Sequence, residues 1–513
     1  MATSTTSAAA PTATTVRTSA GRARGRRLLA RARATPRPLA LLLVVGALQS
    51  IAWDLALPAF QGPDEDTHFA YVQHLAETGK LPSPTSGGSA YSSEEEETLV
   101  TLNLLPLIGD ASGRPAWSEA DLKAWRVVVP HDRPARENGA GPNPIAKNPP
   151  LYYALMSIPY RLLVWLPLLK RLFVLRLFNA LCYLATIAMT WLLAGELFGS
   201  VRWKQTLAAG TVALEPQLSF MSAVINADNL LAALCTAVLL ASVRLVTRGP
   251  SMKRVLIASG LTAAAVLAHG RGLVTIPVLG VALLVAWHTH RPTAIDSLRR
   301  GAAAAATIFV AFLAYVAFGR SGGSLYGGQI TQLNTQTHFN LRQFLSSIYQ
   351  FYFPRLGSMR PRLGPEYGYK QVFIDTFYGT FGSLDVTFKE RIYDVLQVLS
   401  ALGLVGLYTA VVVRWRRLWA AWPVVAVLLT LLVTNLVFLH YVSYRALLSD
   451  NGSDPLIVGR YLLPMISLFG LAIAFTLGAL PRRLGPLLGA LVLALGVLLS
   501  LGGIGITIVR FYA

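Results

Sequence analysis

Charged residues are scarce in this chain of 513 residues: they make up only 14%, whereas hydrophobic residues make up 54%. A soluble protein of ordinary composition has about a quarter of its residues charged, and these cover its surface. The shortage excludes a soluble enzyme, and the hydrophobic excess excludes a disordered chain. Cysteine is scarce as well. The two cysteines, Cys182 and Cys235, both lie in apolar runs, which excludes a disulfide scaffold.

Several motifs that would assign a chemistry are missing. The sequence contains no Walker A motif, no dinucleotide-binding glycine pattern and no H-E-x-x-H zinc motif. It also lacks a convincing internal repeat, which argues against a transporter built from inverted repeats. The net charge of +20 does not indicate nucleic-acid binding, because the basic residues lie mostly in short segments between apolar runs. That pattern instead orients a protein in a membrane.

Long apolar runs are what the sequence does contain. A helix of about 20 residues crosses roughly 30 Å of hydrocarbon, whereas the strands of a barrel are shorter and alternate in polarity. The sequence therefore predicts an all-α polytopic membrane protein, a bundle of about eleven transmembrane helices with two large external loops and interfacial helices. The predicted spans are 38–58, 171–198, 205–223, 227–247, 253–268, 272–288, 301–318, 393–413, 421–440, 457–478 and 485–509.

Basic residues before the first span predict the orientation. Residues 1–37 are expected to be a disordered, arginine-rich cytoplasmic tail, since basic segments stay on the cytoplasmic side. A cleaved signal peptide is the alternative. Residues 38–513 then form one transmembrane domain, with external loops at 59–170 and 319–392. The expected location is the cytoplasmic membrane of a bacterium, crossed many times.

One apolar stretch, residues 149–168, breaks the alternation of basic and acidic connections. It is apolar enough to cross a membrane, but it contains Pro159, Arg161 and Pro167. We therefore expect an amphipathic or re-entrant helix in the outer interface.

The segment 62–82 is typical of an amphipathic helix at a membrane surface. Pro63 and the acidic residues after it form a helix start, and Asp64 and His68, four residues apart, share a face. A partly desolvated carboxylate there could act as a general base. The alternative is that the acids only interact with the helix dipole. Asp64 and Asp66 are also candidate ligands of a divalent cation, Mg²⁺ or Mn²⁺; no other cofactor is predicted.

Two cations are candidates for binding a phosphate. Lys147 precedes a Pro-Pro pair that opens the interfacial helix, where either phosphate binding or simple snorkelling would suit an ammonium group. Arg460, followed by Tyr461, lies at the outer mouth of a span. An arginine at that depth needs an anionic partner, either a phosphate or a carboxylate such as Asp450 or Asp454.

Two further polar segments are open to more than one interpretation. Asn226 and Asp228 form a tight external turn, and they are candidates either for substrate binding or for helix capping. Residues 375–385 combine aromatic residues with glycine. Such aromatics could stack on a sugar ring or anchor the loop in the membrane interface.

Four of these segments together resemble a known family. The motifs P-D-E-x-x-H-F-A-Y-x-Q-x-L-A-E-T-G-x-L-P, K-N-P-P-L-Y-Y, V-I-N-A-D-N and G-R-Y-L-L-P are similar to those of the DUF2142 family of bacterial integral membrane proteins. The same plan resembles, more loosely, the GT-C superfamily of polyprenyl-phosphate-sugar-dependent glycosyltransferases. That resemblance implies that Asp64, with Glu65 as a second candidate, is the catalytic base or an acceptor ligand. It also implies that Lys147 binds the lipid phosphate, although Asn148 intervenes before Pro149.

The resemblance and the residues together predict an inverting membrane glycosyltransferase. It would transfer a sugar from a polyprenyl-phosphate donor to a polysaccharide, glycolipid or protein acceptor of the cell envelope, among membrane lipids and without nucleic acid. The residues expected to bind substrate are Lys147, Arg460, His68, Asp228, Tyr461 and Asn226. One alternative is a flippase or other transporter of lipid-linked saccharides, which would line a path through the membrane with charges. Another is a non-enzymatic partner in envelope assembly.

Overall fold

The computed structural model describes residues 35–513 with the exception of 86–87, 108–109, 111, 116–117, 121, 124, 127–133, 321–338, 361, 365–366 and 450–456. For 318–320 and 449 it describes the backbone alone. The predicted tail 1–37 lies almost wholly outside the described residues, as do Asp450 and Asp454.

Helices dominate the described chain. They are α1 Arg37–Ala56, α2 Glu65–Thr78, α3 Ser93–Thr101, α4 Leu151–Leu162, α5 Leu168–Phe198, α6 Arg202–Ala213, α7 Pro216–Met221, α8 Ala227–Arg248, α9 Met252–Ala268, α10 Thr275–His290, α11 Ala294–Arg320, α12 Leu341–Tyr352, α13 Thr376–Tyr378, α14 Glu390–Val413, α15 Trp415–Ala420, α16 Trp422–Ser449, α17 Ile466–Leu477 and α18 Leu484–Tyr512. Short 3-10 turns occupy Leu105–Leu107, Pro144–Lys147, Gly270–Val274 and Gly459–Met465, and a π turn occupies Gln371–Asp375. Strands β1 Thr380–Phe381 and β2 Val386–Thr387 form one antiparallel pair. The prediction of an all-α membrane protein is confirmed.

The number of spans differs from the prediction. Within the described residues, nine helical segments are long and apolar enough to cross a membrane, so the count of about eleven is not confirmed. The predicted span 205–223 is divided into α6 and α7. The helix breaks at Glu215 because Pro216 has no N–H and keeps the residue before it extended. The carboxylate of Glu215 then caps α7, accepting from the backbone N–H groups of Gln217 and Leu218. The predicted span 253–268 is α9, with only 17 residues.

Helix α9 nevertheless runs antiparallel to α8 along its whole length. At the beginning of α9, Arg254 donates to the carbonyl oxygens of Arg248 and Gly249, at 2.6 and 2.7 Å. Just beyond the other end of α9, Arg271 pairs with Asp228 at the beginning of α8. These contacts distinguish two ends of the bundle. We call the end with Asp228 the site end and the end with Arg248 the opposite end.

The predicted external loop 59–170 folds against the beginning of α5. Helices α2 and α4 enclose a core in which Phe69, Tyr153 and Tyr160 are fully buried. Helix α4 has 12 residues, a length of about 18 Å, which is too short to cross a membrane. Its outer face exposes Leu155, Ile158 and other apolar side chains. This geometry agrees with an interfacial helix in 149–168.

The aromatic segment 375–385 fills the core. The Phe381 ring is fully buried, and its centroid lies 4.8 Å from that of Trp53 and 5.5 Å from that of Phe220. Phe377 is buried as well. These two rings therefore neither stack on a sugar nor anchor the loop in the interface, because Phe381 packs against α1 and α7 and Phe377 packs against Phe469 of α17.

Gly470 sets the distance between α17 and α6, and we expect its replacement to be costly. A Cβ atom at Gly470 would lie 2.3 Å from the carbonyl oxygen of Ala208 on α6, whereas one at Gly403 on α14 would meet nothing within 4 Å. Gly470→Ala should therefore lower the free energy of unfolding by about 1–3 kcal/mol. Gly403→Ala, the matched control, should leave it unchanged or raise it slightly. Thermal unfolding in detergent measures both, and equal midpoints for the two variants would contradict this packing.

Candidate functional site

The beginning of α2 presents two adjacent carboxylates in opposite directions. Asp64 is the N-cap residue and has a left-handed backbone, with φ 56°, which is uncommon for a residue other than glycine. Its carbonyl oxygen accepts from the His68 amide at 3.0 Å, so the helix starts immediately after it. The Asp64 side chain is 51% exposed, whereas that of Glu65 is completely buried.

Glu65 is held in a buried ion network. Arg176 donates from Nε to Glu65 Oε1 at 2.8 Å and from Nη2 to Oε2 at 2.5 Å, and its Nη1 reaches Asp54 at 3.2 Å. The backbone amide of Ile225 also donates to Glu65, at 3.0 Å. Both carboxylate oxygens are therefore occupied, which favours Asp64 over Glu65, the second candidate, as the base. The sequence left this open because adjacent helix-start acids look alike.

Asp64 forms an ion pair with an arginine that is far away in the sequence. Arg460 Nη2 donates to Asp64 Oδ2 at 3.1 Å. Arg460 is 9% exposed, and its Nε and Nη1 atoms are buried without a hydrogen-bond partner among the described residues. Of the two partners expected for Arg460, a carboxylate is present, but it is Asp64. Two N–H-bearing nitrogens remain for another acceptor.

A second arginine stands beside Arg460. The Arg271 guanidinium lies over the Tyr461 ring, 4.3 Å from its centroid, and Arg460 approaches the same ring at 5.5 Å. Arg271 forms an ion pair with Asp228, and its Nε and Nη1 atoms are also buried without a partner in the described chain. Two incompletely bonded guanidinium groups thus lie close to the same Tyr461 ring.

His68 lies on the inner side of this group. Burial lowers the pKa of His68 to about 4, while the charges of Asp64 and Asp228 oppose that shift. The imidazole is therefore neutral at neutral pH. Its Nδ1 atom lies 2.9 Å from the Tyr153 hydroxyl, which also accepts from Asn148 Nδ2 at 3.2 Å. In the tautomer in which the Tyr153 hydroxyl donates to Nδ1, the imidazole proton is on Nε2.

Lys147 is linked to His68 through Asn148, the residue that follows Lys147 in the chain. Asn148 connects to His68 by way of the Tyr153 hydroxyl, and Tyr71 stacks on Tyr153 with 3.7 Å between ring centroids. The Lys147 ammonium group, which is partly exposed, forms no ion pair with any described residue. The segment with Lys147 therefore packs against the helix that begins at Asp64, and its charge is uncompensated.

Asn226 and Asp228 are fixed by local bonds. Asn226 accepts from the Asp228 amide at 2.9 Å, which makes it the N-cap of α8, and it donates to the carbonyl of Pro63 at 3.3 Å. Of the two interpretations that the sequence left open for Asn226, helix capping is the one that the structure shows. Asp228 is almost wholly buried and forms an ion pair with Arg271. His269 Nε2 lies 3.9 Å from Asp228 Oδ1.

Asp64 and Asp66 do not converge on one point. Asp66 accepts from the Tyr91 hydroxyl at 2.5 Å, and burial raises its pKa in spite of that bond. Asp64 turns to Arg460 instead. No three His, Cys, Asp or Glu side chains group as metal ligands in the part of the chain that the structure describes. A divalent cation remains a prediction, and these two carboxylates do not form a chelating pair.

Two arginines of this region were not predicted as site residues. Arg176 lies inside an apolar run, and its partner Glu65 is 111 residues away in the sequence. Arg271 follows a short helix and pairs with Asp228 over 43 residues. The available signal was a single arginine within a membrane span, which requires a buried partner. The identity of that partner depends on the fold.

Comparison of the chain with models of protein families identifies the family to which its motifs correspond. The model of the DUF2142 family, described as a predicted membrane protein, matches residues 48–469, which confirms the resemblance seen in the motifs. No curated protein matches the chain significantly.

Some solved structures are partly similar in fold to this chain. They include two structures of ArnT from Cupriavidus metallidurans and one of AglB, an oligosaccharyltransferase from Archaeoglobus fulgidus. Apo ArnT is 15% identical with a TM-score of 0.44, covering 86% of this chain and 60% of that chain. ArnT bound to undecaprenyl phosphate is 16% identical with a TM-score of 0.41, covering 89% and 63%. AglB with an inhibitory peptide and a dolichol-phosphate is 15% identical with a TM-score of 0.43, covering 92% and 55%. The chain therefore spans less than two thirds of the length of each.

The ion network predicts opposite consequences for the two adjacent acids. Glu65→Ala would leave Arg176 buried beside a single carboxylate, so we expect a loss of about 3–5 kcal/mol in the free energy of unfolding. Asp64→Asn removes one bond from a half-exposed side chain and should change stability by less than about 1 kcal/mol. Thermal unfolding of both variants in detergent checks this. Similar midpoints for Glu65→Ala and wild type would show that Glu65 is not a structural residue.

Proposed function

We propose that this chain, which belongs to the DUF2142 family of predicted membrane proteins, is a membrane glycosyltransferase. It moves a sugar from a polyprenyl-phosphate donor to a cell-envelope acceptor at the outer face of a bacterial cytoplasmic membrane. One observation carries the proposal: the half-exposed carboxylate of Asp64 stands against a buried Arg460 with two unbonded nitrogens. A base and an anion site therefore adjoin each other at one end of the bundle.

The two guanidinium groups suit a phosphate. Buried N–H groups in folded proteins find hydrogen-bond partners, so the Nε and Nη1 atoms of Arg271 and Arg460 require acceptors that the described chain does not supply. Arginine presents parallel donors that match phosphate oxygens. Asp64 and Asp228 balance these two arginines, and Lys147 adds an uncompensated positive charge nearby. A phosphate held here would leave its lipid chain to follow the apolar faces of the bundle.

The reaction then follows from the relative positions of base and anion site. Asp64 accepts the proton of an acceptor hydroxyl, and that oxygen forms a bond to the anomeric carbon of the sugar. The bond between the anomeric carbon and the phosphate oxygen breaks, and polyprenyl phosphate leaves with the electron pair. Arg460 and Arg271 stabilise the charge that develops on this phosphate. The single displacement inverts the anomeric configuration and requires no nucleotide.

Two further residues, neutral His68 and buried Glu65, assist the transfer through their positions. His68 presents an Nε2–H donor and remains uncharged, so it does not compete with Arg460 for the phosphate or for Asp64. Glu65 holds the beginning of α2 through Arg176, which fixes the direction of Asp64. The acceptor, whether polysaccharide, glycolipid or protein, approaches the exposed side of Asp64.

The transporter alternative has less support from the placement of charge. Glu215, the carboxylate that the sequence places inside a span, caps α7 with both of its oxygens. It therefore has a structural role and does not line a path. Arg271 and Arg460, the two described arginines that each have two buried nitrogens without a partner, lie together at the site end.

Sugar transfer by purified protein tests the proposal. A panel of radiolabelled polyprenyl-phosphate sugars is supplied with an envelope extract as acceptor, and released polyprenyl phosphate is measured. Asp64→Asn should lower turnover at least roughly a hundredfold while donor binding persists, because only the base is lost. Arg460→Gln should weaken donor binding by about tenfold or more, because a charged hydrogen bond is lost. Asp110→Asn, an exposed acid of the same loop, is the matched control and should remain active.

Two outcomes would contradict the proposal. Donor binding without turnover in wild type would indicate a transporter or an assembly partner. Turnover that is equal in wild type and a folded Asp64→Asn would remove Asp64 as the base.

A further inference from the structure

A cluster of arginines follows α12, and no ion pair compensates its charge within the described residues. Residues 341–364 contain four arginines and no acidic residue. Arg355, Arg360 and Arg362 are exposed and form no ion pair with any residue that the structure describes. The three arginines lie within eight residues of one another in the sequence, and partial desolvation and the neighbouring charges of Arg362 and Arg360 contribute to a lowered pKa of Arg355. We call these three residues the arginine platform.

Helix α12 places an apolar stripe beside this platform. Leu341, Leu345, Tyr349 and Phe353 recur at every fourth residue and are 59, 56, 38 and 60% exposed. Side chains four residues apart lie on one face of a helix. The opposite face, with Ser347, Gln350 and Phe351, is buried. The helix is thus fixed on one side and apolar on the free side.

The platform and the stripe are held next to the candidate site. Phe351 packs in one cluster with Tyr461, the ring that both arginines of the site approach. The Tyr352 hydroxyl contacts His440 Nε2 at 3.0 Å. The backbone amide of Leu363, just after the platform, donates to Gln350 Oε1 at 3.3 Å, which returns the chain to α12.

We propose that α12 and the arginine platform bind the headgroups of anionic phospholipids. In a membrane protein, an exposed apolar stripe on a short helix lies at the level where acyl chains meet headgroups. Exposed arginines at that level face lipid phosphates, and each basic residue near an anionic surface strengthens the attraction. Because these arginines form no ion pair with any described residue, their charge is complementary to that of anionic lipid.

This inference does not rest on the proposed glycosyl transfer. The platform lies outside the pair of Asp64 and Arg460, so it would select anionic lipid whether or not the protein has catalytic activity. Its consequence for the site is local. Anionic lipids held around α12 would surround the Tyr461 side of the site and leave neutral lipids elsewhere.

Photo-crosslinking of lipids in nanodiscs tests the inference on the full-length protein. One preparation contains a photoreactive phosphatidylglycerol and the other a matched phosphatidylcholine, and mass spectrometry measures the crosslinks in residues 341–364. We expect the anionic probe to label this segment at least about fivefold more, since one basic residue alone contributes about that factor. Labelling of α18 provides the internal reference and should differ little between the probes.

Two sets of three substitutions separate the platform from overall charge. Arg355→Gln, Arg360→Gln and Arg362→Gln together should bring the two probes to equal labelling of residues 341–364. Arg416→Gln, Arg482→Gln and Arg483→Gln, which remove three exposed arginines elsewhere, should leave the selectivity intact.

Three results would overturn the inference. The first is equal labelling by both probes in wild type. The second is selectivity that survives the platform substitutions. The third is loss of selectivity with millimolar inorganic phosphate at constant ionic strength, which would assign the platform to free phosphate instead of lipid.

Discussion

The buried ion pair between Arg176 and Glu65 is the interaction on which the candidate site depends. It fixes Glu65, the first residue of α2, against α5. The backbone amide of Ile225, just before α8, also donates a hydrogen bond to Glu65. With Glu65 held inside, the preceding residue adopts a left-handed backbone, and the Asp64 side chain is directed outward. Burying charge in this way is unfavourable unless every partner is present, so the network acts as a unit. The catalytic proposal requires Asp64 to be accessible, and this network makes it so.

Most of the helices could be predicted from the sequence, because crossing hydrocarbon requires long apolar runs and these are visible in any single segment. The divided helix at Glu215 could not be predicted, since a carboxylate inside an apolar run reads equally well as a functional charge and as a cap. The motifs around Asp64, Lys147 and Arg460 were identified, and the direct contact of Asp64 with Arg460 was not. That contact joins positions 396 residues apart, and sequence spacing has no information about it.

The same limit explains the errors at the site. The four-residue spacing predicted that Asp64 and His68 share a face of one helix, yet Asp64 is the N-cap residue and lies outside the helix, where that rule does not apply. Arg271 was not predicted as a site residue. Its position near Tyr461 and Arg460 emerges when α8, α9 and the Gly459–Met465 turn meet. Two arginines that are each incompletely bonded form an anion site only as a pair, and that is a property of the fold.

A structure of the protein with bound polyprenyl phosphate tests the central claim most directly. The claim is that Arg271 and Arg460 hold the donor phosphate next to Asp64. It predicts phosphate density about 3 Å from guanidinium nitrogens of both arginines, on the side of Asp64 that remains exposed. Phosphate bound at another place, with the contacts of Arg271 and Arg460 unchanged, would contradict it.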